Sequence, residues 1–125
     1  MNITIIGSGY VGLVSAACFA DLGNNVLCLD VDKQKVQLLK NSKIPFYEPG
    51  LASLVSKTIA SNNLKFDSTY KEVISFSDVI FICVGTPQYK NGNPNLKYLM
   101  SCIDSIIEQY KKEHADKLLH LFIKS

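Results

Sequence analysis

The segment Gly7-Ser8-Gly9-Tyr10-Val11-Gly12 follows directly on the apolar run Ile3-Thr4-Ile5-Ile6. Glycines in this G-x-G-x-x-G order, set between a strand and a helix, suit the backbone to a dinucleotide pyrophosphate. Gly7 permits a tight turn off the strand, Gly9 lets the backbone approach the phosphates, and Gly12 lets helix and strand pack closely. Ser8 lies within the same turn. The helix that starts there presents unpaired N–H groups, those of Tyr10 and Val11 first, and the positive end of its dipole. Asp30 lies 18 residues beyond Gly12, where an acid is expected to accept hydrogen bonds from the adenine ribose hydroxyls. Such a carboxylate repels a 2′-phosphate.

The sequence contains no arginine; all 13 basic residues are lysines. A 2′-phosphate therefore has no guanidinium to clamp it, and NAD is favoured over NADP. Lys33 and Lys35 both lie within reach of a ribose or a phosphate, and Lys35, one helical turn in, is the better placed. A third candidate, Val84-Gly85-Thr86-Pro87, closes an apolar run; Thr86 there has a hydroxyl and backbone groups to offer a cofactor.

The four cysteines, Cys18, Cys28, Cys83 and Cys102, lack C-x-x-C spacing and have apolar neighbours. They are expected to be small buried hydrophobes in a reducing compartment rather than nucleophiles or disulfide partners. His114 and His120 have no partner at metal or triad spacing, so no metal site is expected. A formal net charge of +2 without a basic block gives no reason to expect nucleic-acid binding. No lysine precedes Lys33, and glycines interrupt the apolar N-terminal stretch. Neither a secretory signal nor a membrane span is supported, and a cytoplasmic location is expected.

These residues require elements to position them. Met1 to Ile6 reads as a buried strand, Tyr10 to Leu22 as a helix closed by Gly23, and Val26 to Asp30 as a second strand. Asp32 is expected to cap a helix reaching about Lys40. Ile44-Pro45-Phe46-Tyr47-Glu48-Pro49-Gly50 is an ordered loop, and Leu51 to Ala60 a helix. Leu64-Lys65-Phe66 is a short strand, and Thr69 and Glu72 have capping-box spacing for a brief helix to about Phe76. Asp78 to Val84 reads as the strongest strand. A long amphipathic helix from Leu96 to about Glu113 and a buried strand from Leu118 to Ile123 complete the pattern. Strands and helices alternate, and most strands are continuously apolar. This predicts the doubly wound α/β class, a Rossmann-like, mainly parallel sheet with helices on both faces, as one domain over residues 1–125.

Taken in order, the glycine turn, Cys28-Leu29-Asp30, Tyr47-Glu48-Pro49-Gly50-Leu51, Val84-Gly85-Thr86-Pro87 and Ile123-Lys124-Ser125 resemble the N-terminal domain of the UDP-glucose/GDP-mannose dehydrogenase family. The resemblance implies that Tyr10, Val11, Asp30, Lys35 and Thr86 contact NAD. It implies that the Glu48-Pro49-Gly50-Leu51 loop shapes the inner region of the cleft; no catalytic role is assigned to that loop here. Family members oxidise a sugar C6 alcohol to a carboxylate in two hydride transfers, using two NAD and a nucleophilic cysteine in a glycine-rich segment. None of the four cysteines here has that context, so no catalytic residue is assigned and the 125 residues alone are expected to be inactive. The linking helix and substrate domain that follow in the family are not in this sequence. The complete enzyme is expected to be a homo-oligomer acting on a nucleotide sugar, UDP-glucose first, with GDP-mannose or a UDP-N-acetylhexosamine as alternatives. A non-catalytic nucleotide-binding remnant is the reading from a different class.

Overall fold

The computed structural model describes residues 1–124. Five strands form one sheet in the order β3-β2-β1-β4-β5, every pair parallel: β1 Asn2–Ile6, β2 Asn25–Leu29, β3 Leu64–Asp67, β4 Val79–Ile82 and β5 His120–Ile123. Five helices connect them: α1 Tyr10–Asp21, α2 Lys33–Lys40, α3 Leu51–Ala60, α4 Val73–Phe76 and α5 Lys97–Lys112. The chain first steps outward from β1 to β2 and β3, then returns to place β4 on the other side of β1. The reversal leaves a crevice at the carboxyl ends of β1 and β4, the place where open α/β sheets bind ligands.

Strand residues point alternately to two faces, and each face has its own core. Ile3, Ile5, Val26, Cys28, Leu64 and Phe66 pack under α1, α2 and α3, meeting Leu13, Ala16, Val36, Leu39 and Val55. Ile6, Leu27, Leu29, Ile80 and Ile82 pack under α4 and α5, meeting Val73, Ile74, Cys102 and Ile106. Burying a side chain such as Leu13 or Ile82 stabilises the fold by about 1.5–3 kcal/mol. The polar Thr4 on the second face is matched by the Ser77 hydroxyl at 2.6 Å, so no buried polar side-chain atom among the described residues lacks a partner.

Several sequence expectations hold in detail. Asp32 caps α2, its carboxylate accepting from the Gln34 and Lys35 N–H groups. Gly23 ends α1 at φ +99°, a conformation that favours glycine. Others are corrected. The last strand is not buried: all four residues of β5 are exposed, since β5 ends the sheet and, unlike the other edge strand β3, contributes no side chain to either core. The expected capping box does not form; the Thr69 hydroxyl turns back to Asp67, and α4 starts at Val73 without a side-chain cap. The strongest strand is shorter than expected, Val79–Ile82 rather than Asp78 to Val84, although the Asp78 and Cys83 N–H groups still bond the Asn2 and Ile6 carbonyls at 2.8 and 2.7 Å. Cys18 is exposed on α1, whereas Cys28 and Cys102 are buried and Cys83 is half-buried. Among the described residues no helix is long and apolar enough to cross a membrane.

Candidate functional site

Gly7 stands one residue past β1 with φ +101°, and a Cβ there would lie 2.7 Å from the Cys83 carbonyl oxygen of the neighbouring β4 segment. Gly12 is tighter still: a Cβ would lie 1.8 Å from the Gly7 carbonyl oxygen. Any side chain at either place collides with backbone. Gly9 differs, because a Cβ there meets nothing within 4 Å and would protrude into open space. Two glycines are thus needed by the protein itself, and the third leaves room for something else.

Gly9 is also the N-cap of α1, with no side-chain cap. The first intrahelical bond runs from the Leu13 N–H to the Gly9 carbonyl, so the Tyr10, Val11 and Gly12 N–H groups precede the ladder. They form a donor cluster at the positive end of the helix dipole, suited to an anion. The residues present therefore fit a diphosphate group: open space over Gly9, unspent donors beside it, and no acidic side chain in the first turn.

Beside this turn lies a cavity of about 290 Å³, bounded by Gly7, Ser8, Gly9, Asp30, Lys35 and the Cys83–Gly85 segment, with Tyr70 and the α5 residues Tyr98, Ser101 and Cys102 along its far wall. Asp30 is held firmly. Its Oδ2 accepts from the Ser8 N–H at 3.0 Å and the Ser8 hydroxyl at 2.5 Å, and its Oδ1 from the Asp32 N–H at 3.0 Å. The Lys35 ammonium stands 3.6 Å from Oδ2. Half-burial pushes the Asp30 carboxyl upward, but the Ser8 hydroxyl, the Asp32 and Ser8 N–H groups and the Lys35 charge outweigh it. The net direction is below the ordinary carboxylate value, and Asp30 is an anion at neutral pH.

Of the residues singled out in the sequence, Gly7, Ser8, Gly9, Asp30 and Lys35 line this cavity. Ser8 is buried, and its hydroxyl is already spent on Asp30. Tyr10, Val11 and Gly12 contribute through their backbone at its edge. The Tyr10 side chain leads elsewhere: its ring packs 5.5 Å from that of Phe46, and its hydroxyl donates to Glu48 at 3.1 Å. Thr86 is half-buried one residue beyond the cavity wall at Gly85. The wall residues Val31, Tyr70, Tyr98 and Ser101 were not anticipated. For α5 the signal was present: Tyr98, Ser101 and Cys102 follow i, i+3, i+4 spacing at the border of the apolar stripe.

The cysteines of this region are poor nucleophiles. Burial pushes the Cys28, Cys83 and Cys102 thiols above the usual thiol value, with the Lys124 charge offsetting it only in part at Cys83 and a hydrogen bond from Tyr70 only in part at Cys102. His114 and His120 are both exposed. No group of His, Cys, Asp and Glu able to hold a metal ion occurs among the described residues.

A parallel 3-2-1-4-5 sheet with an uncapped glycine turn at its switch point and an acid at the end of β2 defines a dinucleotide-binding α/β domain. Residues 1–119 match the family model described as "UDP-glucose/GDP-mannose dehydrogenase family, NAD binding domain", and the chain belongs to that family. It is 48% identical over 107 residues to the UDP-glucose 6-dehydrogenase TuaD of Bacillus subtilis, covering 86% of this chain and 23% of that protein. With the UDP-glucose 6-dehydrogenase of Rhizobium meliloti it shares 47% over 107 residues, covering 85% of this chain and 24% of the relative. Among solved structures, a ternary complex of GDP-mannose dehydrogenase from Pseudomonas aeruginosa superposes with a TM-score of 0.90 at 34% identity, covering 100% of this chain and 29% of that one. The chain thus spans about a quarter of the length of the curated relatives it matches.

Proposed function

We propose that residues 1–125 form one NAD-binding unit of a nucleotide-sugar dehydrogenase. The observation that carries the reading is the convergence, at one cavity, of the glycine turn, the unspent N–H groups of α1 and the ionised Asp30. In this reading the Tyr10, Val11 and Gly12 N–H groups hold the diphosphate, and the absence of a side chain at Gly9 lets it come close. Asp30, fixed by Ser8 and Asp32, accepts from the adenine ribose. Val31, Tyr70, Tyr98 and Ser101 wall the base, and Thr86 lies towards the nicotinamide half. When bound, NAD supplies a hydride acceptor; no residue of this chain is assigned to the sugar chemistry.

The geometry favours NAD over NADP. The Lys35 ammonium already faces the Asp30 carboxylate, and that anion would stand beside a 2′-phosphate and repel it. The substrate is a nucleotide sugar, with UDP-glucose first because two relatives at 47–48% identity carry that name. GDP-mannose is the second reading, supported by the structural similarity to the P. aeruginosa enzyme. A complete enzyme of this kind works as a homo-oligomer in the cytoplasm.

Isothermal titration with NAD and NADP tests the cofactor reading. Saturable NAD binding and at least about tenfold weaker NADP binding are expected, a difference of about 1.4 kcal/mol. Equal or stronger NADP binding overturns it. NADH formation from UDP-glucose by this polypeptide would overturn the assignment of sugar chemistry to other residues.

A further inference from the structure

The first turn of α1 has few restraints of its own. Its N-cap is Gly9 and its third residue is Gly12, the residue type that loses most conformational freedom on ordering, and no side chain caps it. Both of its side chains, Tyr10 and Val11, are exposed, but only one is held. Tyr10 is tied: its ring lies 5.5 Å from Phe46 and its hydroxyl donates to Glu48 at 3.1 Å. Glu48 is anchored in turn, since its carbonyl accepts from the Leu51 N–H at 3.1 Å and Gly50, at φ +81°, turns the chain into α3. At the far end of the same helix pair, Lys57 of α3 bonds Asp21 of α1 at 2.8 Å. The α1–α3 pair is therefore fastened at both ends, and one fastening holds the residue that opens the donor cluster.

We propose that Glu48 and Phe46 are positioning residues for the dinucleotide: by holding Tyr10 they pre-order the first turn of α1, so that its N–H groups stand ready for the diphosphate. The inference rests on the NAD reading above. Its physical content is preorganisation, since a turn ordered before binding loses less freedom when the ligand arrives. Charge alone gives the opposite sign. Glu48 is an anion near an anion site, and were repulsion the larger effect, removing its carboxylate would tighten binding.

The two effects separate in titrations of NAD into the wild-type chain, Glu48→Ala, Glu48→Gln, Tyr10→Phe and the Tyr10→Phe/Glu48→Ala pair. Thermal melts establish that each variant is folded at the working temperature. Glu48→Ala is expected to weaken NAD binding about fivefold, the scale of one hydrogen bond to a charged group at an exposed site. Glu48→Gln, whose amide oxygen still accepts from the Tyr10 hydroxyl, is expected to stay within about twofold of wild type. The double variant should be no weaker than the worse single one, because both remove the same contact. Unchanged or tighter binding by Glu48→Ala, or a Glu48→Gln variant as weak as Glu48→Ala, overturns the inference while the NAD reading stands. A wild-type chain that does not bind NAD overturns both.

Discussion

The two sides of the cleft are built to different standards. On the β2 side, Asp30 is gripped by Ser8, Asp32 and Lys35, and the strand it follows is buried. On the β5 side, Leu121, Phe122 and Ile123 are 42%, 51% and 54% exposed, and the strand has a neighbour on one side only. An aromatic row from Phe19 through Phe81 to Phe122, with centroids 5.4 and 5.2 Å apart, supports β5 on one face without covering it. The contrast teaches that ligand recognition and fold stability are joined on the β2 side and largely separate on the β5 side. The opposite sheet edge makes the same point: β3 is also terminal, yet Leu64 and Phe66 are buried and Lys65 and Asp67 place charge on it.

Substitutions can break or sharpen this contrast. Gly12→Ala should have the largest effect, destabilising the fold by about 3 kcal/mol or more because backbone cannot yield to a 1.8 Å contact. Gly85→Ala, whose Cβ meets nothing within 4 Å, is the matching change beyond β4 and should leave thermal melting nearly unchanged. Equal losses at the two glycines would erase the contrast.

Asp30→Asn comes next, with NAD binding reduced about tenfold in titration. It should also change acid unfolding. The Asp30 carboxyl is held below its ordinary value in the folded state, so its contribution is complete above the unfolded-state value and is lost as pH falls through the folded one. The asparagine variant should lack that acid-side loss, and an unaltered acid-unfolding profile would count against the grip described here. Lys35→Met should be milder, at about two- to threefold in NAD affinity, because the ammonium stands 3.6 Å from Asp30 while Ser8 and Asp32 still hold the carboxylate. Phe122→Ser should cost little, under about 1 kcal/mol in urea unfolding, while reducing apolar dye binding. A large stability loss there would show that β5 is as integral as β2.

The sequence made the architecture legible because parallel strands buried on both faces are written as unbroken apolar runs, and their order follows from alternation with helices. The same rule misled at Leu118 to Ile123, where an apolar run reads identically whether a strand lies inside a sheet or at its edge. Gly7, Gly12 and Asp30 were legible because fixed spacing expresses their demands. Tyr70 was not, since it reaches the cavity through packing between segments distant in sequence, and Tyr98 was marked only by its place at the border of the α5 stripe. Ser8 was recognised as part of the turn, but its bond to Asp30 depends on two strands lying side by side. The Thr69–Glu72 spacing failed because Asp67, two residues away, offered the Thr69 hydroxyl a nearer partner.

The sheet's hydrogen-bond ladder does not stop where its strands do. The Gly7 N–H reaches the Leu29 carbonyl at 2.8 Å, and the Cys83 N–H reaches the Ile6 carbonyl at 2.7 Å, one rung past the end of β1 and of β4. The first glycine of the turn is thereby stitched to the buried central strands. Its amide should exchange with solvent deuterium as slowly as those of the central strands, while the Tyr10 and Val11 amides, three and four residues on, exchange freely. The boundary between what the fold keeps for itself and what it holds out to a ligand therefore falls between Gly7 and Tyr10.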